Sequence, residues 1–481
     1  MSAEQNLEQT VTPAKASHDF TPPQALVEFM SSEWIDRPIA QERHPEAARF
    51  GARREALSQA YPGTYLVLPA GRERVRANDT SFRFRPSSDL AYLTGDGVEP
   101  GAALILEPQG RGHRYLLFVP EHNRGKAEFF TDRVYGELWV GRHRGVDESR
   151  SYYGVDESRP MGALAEYLDE LRGGNYPRRI LRGHDDEVDA RFERTSDDDE
   201  LAQHLSEARL IKDEYDLAEL RKACALSKLA FEDAIRAMRT GKTERDIEAA
   251  FSGRARIEAN DVGYLTIAAA GSHACTLHWT RNDGALRAGE LLLLDAGVEV
   301  ESLYTADITR TLPISGRFSA EQREVYEIVW AAQRAGIASV VAGNDFLEPN
   351  RRAARVLAQG LIDLGILKCS LEEALDPERL FHRRYTLHGV SHMLGLDVHD
   401  CAQARVEEYR LGKLREGMVL TVEPGLYFQP DDATVPERFR GIGVRIEDDI
   451  AVTTGAPENL SAMLPSRADD VERWIAEAWN R

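Results

Sequence analysis

Apolar positions along the first half of the chain form short runs closed by turn residues. TYLVLPAG (64–71), GAALILEP (101–108) and YLLFVP (115–120) are of this kind and predict strands. Helix-period stretches lie among them, at 46–61 and in ALAEYLDELRG (163–173), which ends on a glycine stop. The mixture predicts an α/β N-terminal domain over residues 45–206. Residues 1–44 are polar, carry several prolines and read as a loose leader, although LVEFM (26–30) could dock on the body. GVDESR occurs at 145–150 and again at 154–159, an offset too short for a solenoid repeat; a local duplication in a surface loop is the reading. The charged stretch 183–200 (GHDDEVDARFERTSDDDE) predicts a solvated connector or an exposed rim.

From about residue 207 the pattern changes. Leu220, Cys224, Phe231, Ile235 and Met238 share one stripe of a long helix over 213–240, with Gly241 as its stop. Thr243 and Asp246 have capping-box spacing for the next helix. GYLTIAAAG (263–271), GELLLLDAGVEV (289–300), YTADITRTLPI and GVRIEDDIAVT predict strands; 319–344 and 351–364 predict helices. Helices and antiparallel or mixed strands thus share one α+β domain over 207–460, followed by a tail at 461–481.

A chain of 481 residues suits two or three domains. Its formal charge of −20, from 60 basic and 80 acidic residues, argues against nucleic acid or an anionic membrane as the main partner. Cys224, Cys275, Cys369 and Cys401 form no CxxC pair and read as reduced thiols. The N-terminus MSAEQNLEQT has no apolar signal region, and the longest aliphatic runs, such as LLLL at 291–294, are far short of a membrane span. The expectation is a soluble cytoplasmic protein.

Five residues then demand chemistry. Asp295 closes a strongly apolar strand, where a carboxylate is costly unless paired or metal-bound; a turn-capping aspartate is the alternative. Asp307 follows on what reads as the neighbouring strand, so a strand, turn and return strand could set the two opposite one another. His388 and His392 are four apart in HGVSH and would share a face if that segment is helical. Gly389 stands where a zincin HExxH motif needs glutamate, so that reading fails. His399 completes the cluster, and two of the three histidines could be ordinary hydrogen-bonded residues. Glu423 precedes Pro424, which biases it to extended geometry at the end of a strand. Arg445 and Glu447 share one face of GVRIEDD, facing either a cavity or, given the following aspartates, solvent. Four carboxylates and one imidazole form a hard, oxygen-rich set. It favours manganese, or cobalt, iron or zinc, over copper. Such a set offsets about four positive charges and suits two divalent ions with a shared activated water, hence hydrolysis.

LHWTRND, LLLLDAG, YTADITRT, HGVSHMLGLDVHD, TVEPGLY and GVRIEDD stand in the order typical of the pita-bread metallopeptidases, and the chain resembles that family over most of 207–460. FRFRPSSDLAYLTG (82–95), ELWVGRHRG (137–145) and IKDEYDLAELRKA (211–223) extend the resemblance to the aminopeptidase P group, over roughly 45–460. It implies a ribonuclease-H-like (creatinase-type) N-domain before a pita-bread catalytic domain. It implies Asp295, Asp307, His392, Glu423 and Glu447 as ligands of two divalent metals, most simply Mn2+. It also implies Glu423 as general base, His278, His388 and His399 as substrate-site histidines, and Arg445 as the arginine behind the ligands. Tyr427, Asp89 and Trp139 would contribute to substrate binding, with Asp89 reaching a site across subunits. The spacing from Asp295 to Asp307 is one residue longer than the family's usual form, which lengthens the turn in VEVESLYT.

The implied reaction is hydrolysis of the bond between an N-terminal residue and a following proline, by a metal-activated hydroxide, in a homodimer or homotetramer. A dipeptide-only prolidase shares the metal site and differs in the room beyond the proline. Methionine aminopeptidases usually lack so large an N-domain. Creatinase and non-catalytic relatives lose the ligands, all five of which are present here.

Overall fold

The computed structural model describes residues 22–35 and 42–480. Most of the 1–44 leader lies outside them. Its described part includes a helix, Gln24–Ser31, with Leu26 and Phe29 exposed. The contact with the body comes instead from Trp34, whose ring meets Phe129 edge-on at 5.0 Å.

The first domain is one mixed sheet in the order Glu157–Pro160, Gly112–Val119, Ala103–Gln109, Tyr65–Pro69 and Arg178–Ile180. The three central strands pair antiparallel, and each edge strand runs parallel to its neighbour. Side chains alternate across a strand. Leu66, Leu104 and Leu117 therefore enter one core with Leu57, Leu90 and Tyr153, while Val67, Ile105 and Phe118 enter a second with Leu164, Leu168 and Val188. Burial on both faces explains why these strands read as continuous apolar runs.

The 183–200 stretch is not a connector; it is the exposed rim of the domain, the other form expected for it, with most of its side chains exposed. It forms helices Asp186–Arg191 and Ser196–Ala208, which bury Val188, Leu201 and Leu205 and are anchored by the buried Asp185 and Asp198 on Arg72 and Arg182. Nor is the GVDESR duplication a surface loop. The first copy is the N-cap and first turns of helix Val146–Tyr153. The second starts at the left-handed Gly154 that ends this helix and becomes the Glu157–Pro160 edge strand. In the first copy Glu148 caps its helix at Gly145 N and reaches His122, while the second copy, continued by Pro160, pairs in parallel with Leu116–Val119.

The second domain has one large core and a smaller cluster around Ile267, Trp279, Leu293 and Tyr427. Helix Glu214–Thr240 starts at an Asp213 cap and buries the predicted stripe; it packs against Glu244–Glu258, whose Asp246 accepts from Thr243 N at 2.9 Å. A second pair, Ala320–Ile337 and Glu348–Asp363, packs likewise. Between them lie antiparallel sheets, one ordered Thr309–Pro313, Leu291–Asp295, Ile267–Ala270 and one ordered Val419–Val422, Asp448–Ala451, Glu458–Asn459, with the pair Gly425–Tyr427 and Gly443–Arg445. The expected tail at 461–481 is not separate. Helix Ala468–Asn480 buries Val471, Trp474 and Ile475 in the same core. No described helix is long and apolar enough to cross a membrane.

Charged groups bind the two domains together. Arg53 donates to Asp216 at 2.6 Å, and Arg85 donates to Glu299 and to the Leu396 carbonyl, both at 2.6 Å. Ser88 reaches Asp397 at 2.6 Å, and Arg209 joins Asp89 to Asp400. Lys212, fully buried, lies 3.0 Å from Asp400. Burial alone would raise the Asp400 carboxyl, but Lys212 and Arg209 outweigh it and hold it down at about 2. Asp400→Asn leaves buried Lys212 without its carboxylate and Arg209 with Asp89 as its remaining close partner, and should cost about 3–5 kcal/mol, read as a lower urea midpoint. A depressed folded-state carboxyl stabilises above its unfolded pKa, and that contribution is lost as pH falls toward the folded value. The stability gap between native protein and Asp400→Asn should therefore narrow between pH 7 and pH 3; a constant gap would contradict this account of the junction.

Candidate metal centre

Each expected carboxylate ligand sits at or beside the end of a strand, where the backbone leaves its ladder and a side chain can turn inward. Asp295 is the last residue of Leu291–Asp295 and pairs in register with Thr309. Asp307 lies two residues before that partner. The extra residue in the connection is absorbed by a tight turn in which Leu303 N donates to Val300 O and Leu303 takes a left-handed φ of 69°. Gly297 permits the return: a Cβ there would fall 1.7 Å from the Ala306 carbonyl. Glu423 follows Val419–Val422, and Glu447 sits between Gly443–Arg445 and Asp448–Ala451.

The HGVSH segment is not helical. Residues 390–394 run extended beside Val419–Val422, with Thr421 N donating to His392 O and Leu394 N to Val419 O. His388 lies before this extended run, at a bend, yet it too meets Glu423, at 3.3 Å against 3.6 Å for His392.

The ligand atoms converge. Asp307, His392 and Glu447 each present one within 4.8 Å of the others. His392 Nε2 is 3.3 Å from Asp307 and 3.6 Å from Glu423. Asp295 joins through Tyr264, whose hydroxyl is 2.6 Å from Asp295 Oδ1 and 2.5 Å from Asp307 Oδ1. A phenol has one proton and cannot donate to both oxygens, so this arrangement calls for a further cation or proton between the carboxylates. Burial, with the charges of Asp307, Glu423 and Asp295, drives the Glu447 carboxyl well above its usual range. Burial also raises Asp295, with Asp307 adding to the rise and Arg445 opposing it. Burial would lower His392, but Asp307 and Glu423 overcome it and raise the imidazole to about 9. Glu423 goes the other way: against burial, His388, His392 and Arg445 hold it below the usual value. A buried donor set so short of positive charge fits two divalent ions.

The remaining expected residues fall in two groups. His278, His388, His399, Arg445 and the ligands all line one cavity of about 540 Å³. His399 stands edge-on to His392 with ring centroids 4.4 Å apart. Tyr427 lies behind the lining: its hydroxyl is 2.7 Å from His388 Nε2 and accepts from Arg445 at 3.0 Å. Arg445 also contacts Asp295 and donates to Thr309 at 3.1 Å. Asp89 does not reach this cavity in its own chain. It is paired with Arg209 and lines a neighbouring cavity that shares His399. Trp139 is 55% exposed on the N-domain surface, outside the cavity.

Three functional neighbours escaped the sequence reading. Tyr264 bridges two ligands. Thr309 donates to Glu447 at 2.7 Å, and Asp449 accepts from Asp307 N at 3.1 Å. Thr309 had a signal, since it shares a strand face with Asp307. Asp448 and Asp449 are buried, so the solvated-edge alternative for GVRIEDD fails; Asp448 pairs with the fully buried Arg310 at 2.7 Å.

Comparison with known proteins agrees with this geometry. The profile of metallopeptidase family M24 matches residues 218–454, and that of the aminopeptidase P N-terminal domain matches 50–179. Xaa-Pro aminopeptidase 1 of Streptomyces coelicolor is 50% identical over 463 residues, covering 94% of this chain and 92% of that protein. The Escherichia coli Xaa-Pro aminopeptidase is 34% identical over 452 residues, covering 89% and 98%. Among solved structures, E. coli aminopeptidase P with the inhibitor Pro-Leu superimposes with a TM-score of 0.81 at 32% identity, covering 91% of this chain and all of that one. The Pseudomonas aeruginosa aminopeptidase does so with 0.81 at 33%, with the same coverage. The architecture is thus an aminopeptidase P N-terminal domain followed by a pita-bread domain.

Tyr264→Phe removes the hydroxyl shared by Asp295 and Asp307 while keeping the ring. Loss of such an outer partner should weaken metal retention by about 10–100-fold. Metal content after graded dialysis against a chelator checks it, and retention equal to the native protein would remove Tyr264 from the centre.

Proposed function

The chain belongs to metallopeptidase family M24, and from that premise we propose how its residues carry out the removal of an N-terminal residue from a following proline. It is a metalloaminopeptidase acting at Xaa-Pro bonds through a dinuclear metal site. The observation that carries the reading is the convergence of Asp307, His392 and Glu447, with Asp295 and Glu423 beside them, in one cavity.

Asp295, Asp307, His392, Glu423 and Glu447 would hold two divalent metals, which would supply a Lewis acid and a water of lowered pKa. Glu423, kept ionised between His388 and His392, accepts the water's proton and delivers it to the leaving prolyl nitrogen. His399 is held below its ordinary pKa by partial burial and by the neighbouring His392, so it stays a neutral donor for the oxygen of the attacked carbonyl. His278 lines the same cavity and contacts the substrate with it. Tyr427 orients His388, and Arg445 holds both Tyr427 and Asp295 in place.

The preference for proline follows the name shared by the relatives. Room beyond the proline favours peptides longer than two residues: a second cavity of about 770 Å³ shares His388, Gly389, Ser391 and Arg410 with the metal cavity. Oxygen-rich ligands favour manganese, while a zinc-substituted E. coli relative with product indicates tolerance of other ions. We place the enzyme in the cytoplasm, in keeping with four free cysteines. We also infer a homodimer or homotetramer in which Trp139, and Asp89 after rearrangement of its pair with Arg209, bound a neighbour's site. Exposed Leu138, Trp139 and Val140 support such a contact. Neither nucleic acid nor membrane is a partner in this reading, given the charge of −20.

The test is a cleavage panel on Xaa-Pro, Xaa-Pro-Yaa and Xaa-Ala-Yaa with metal-stripped protein resupplied with Mn2+. Metal-dependent release of the first residue from Xaa-Pro-Yaa alone or most rapidly is expected; turnover restricted to the dipeptide would make the chain a prolidase. Glu423→Gln should lose at least about a hundredfold in kcat, the lower range of general-base effects. Near-full activity of that protein would sink the assignment of the base.

A further inference from the structure

We propose that the N-terminal domain holds a second, structural metal site for a zinc-like divalent ion, formed by His122, Glu137 and His143. One ligand atom from each lies within 4.8 Å of the others. They come from three places: the loop after strand Gly112–Val119, the start of the short helix Glu137–Val140, and the turn that follows it. Two imidazoles and one carboxylate are ligands that zinc takes readily.

Simple ion pairing accounts for only part of the cluster. His122 Nδ1 lies 2.6 Å from Glu137 Oε1, and its Nε2 lies 3.0 Å from Glu148. A protonated His122 between two carboxylates would explain those contacts but not His143. That ring stacks beside His122 at 5.7 Å and 22°, with its Nε2 3.1 Å from the Glu121 carbonyl. Each histidine therefore has one nitrogen held by an oxygen acceptor, the outer partnership that fixes ring orientation in metal sites. Glu137 is 2% exposed, with Arg124 3.8 Å from its other oxygen, so it would bind through Oε1 alone. To admit an ion at about 2.0–2.1 Å from each atom, the Nδ1–Oε1 contact must open to about 3.3 Å, a side-chain adjustment.

The chain also makes space for the cluster. A Cβ at Gly145 would fall 2.6 Å from His122 Cδ2 and 2.7 Å from Glu148 Oε2. Gly145 and Glu148 belong to the first GVDESR copy, and the helical form of that copy is what aims Glu148 at His122. An ion here would tie helix Val146–Tyr153 to the segment bearing the exposed Leu138, Trp139 and Val140 and so set how that apolar tip is presented.

Zinc content after chelator stripping, reloading with Zn2+ and desalting tests the site. Native protein should hold three ions per chain and His143→Ala two, the difference of one being the decisive quantity. Glu148→Gln removes no ligand, so it should keep three ions at saturation while binding the third about 10–100-fold more weakly by competition with a chelating dye. Equal zinc content in native protein and a folded His143→Ala would overturn the proposal. If His143→Ala does not fold, unchanged affinity for all ions in Glu148→Gln would overturn it instead.

Discussion

The catalytic domain is organised around a charge problem. Asp295, Asp307, Glu423 and Glu447 point into one cavity, and three of the four are less than a tenth exposed. Two unit charges 4 Å apart repel by about 4 kcal/mol even at an effective dielectric constant of about 20. Four carboxylates can share that volume only if cations and donors are built in beside them. Arg445, His392, Tyr264 and Thr309 supply part of the compensation, and the raised Glu447, Asp295 and His392 show that it falls short without metal. The deficit that makes the metal-free site costly is what makes it bind divalent ions.

The same constraint explains the strand ends. A ligand on a strand interior would be locked to one sheet face, and carboxylates from separate sheets could not meet. Placed where Leu291–Asp295, Val419–Val422 and Gly443–Arg445 stop, they turn toward a common point while the apolar residues before them fill the core. Buried Arg310 holds this geometry from behind. It bonds Asp448 and the carbonyls of Glu447, Thr309 and Leu464, so the backbone that carries Glu447 has little freedom.

The N-terminal domain takes part in the site indirectly. Arg85 and Ser88, together with Arg209 and Lys212 at the start of the catalytic domain, grip the stretch from Leu396 to Asp400, which carries His399 and follows His392. The FRFRPSSDLAY segment is therefore a buttress for the histidine loop. Asp89 is part of that buttress in its own chain, which is a different place from the substrate wall that its sequence context implies.

Much of this was legible in the linear chain. The amphipathic stripe of 213–240, the cap at Thr243 and the apolar strands follow from local rules of period and cap chemistry; the cost of a carboxylate in an apolar strand marked Asp295, and the full set of five ligands came from motif order and family resemblance. What the local rules could not reach depends on partners far along the chain. HGVSH shows ring spacing that a helix or an extended segment satisfies equally, and only its pairing with Val419–Val422 chose. Tyr264 gave no sign of bridging two aspartates, because a tyrosine before a strand is ordinary until its neighbours are known. Asp448, Asp449, Asp185 and Asp198 read as solvated, since burial of a charge requires its counter-ion, and Arg310, Arg182 and Arg72 are distant or unmarked in sequence. GVDESR states the limit most plainly. Six identical residues start a helix at 145 and lead into a strand at Glu157, so their own propensities were equal and their surroundings decided, both the sheet edge they meet and the Pro160 that follows the second copy.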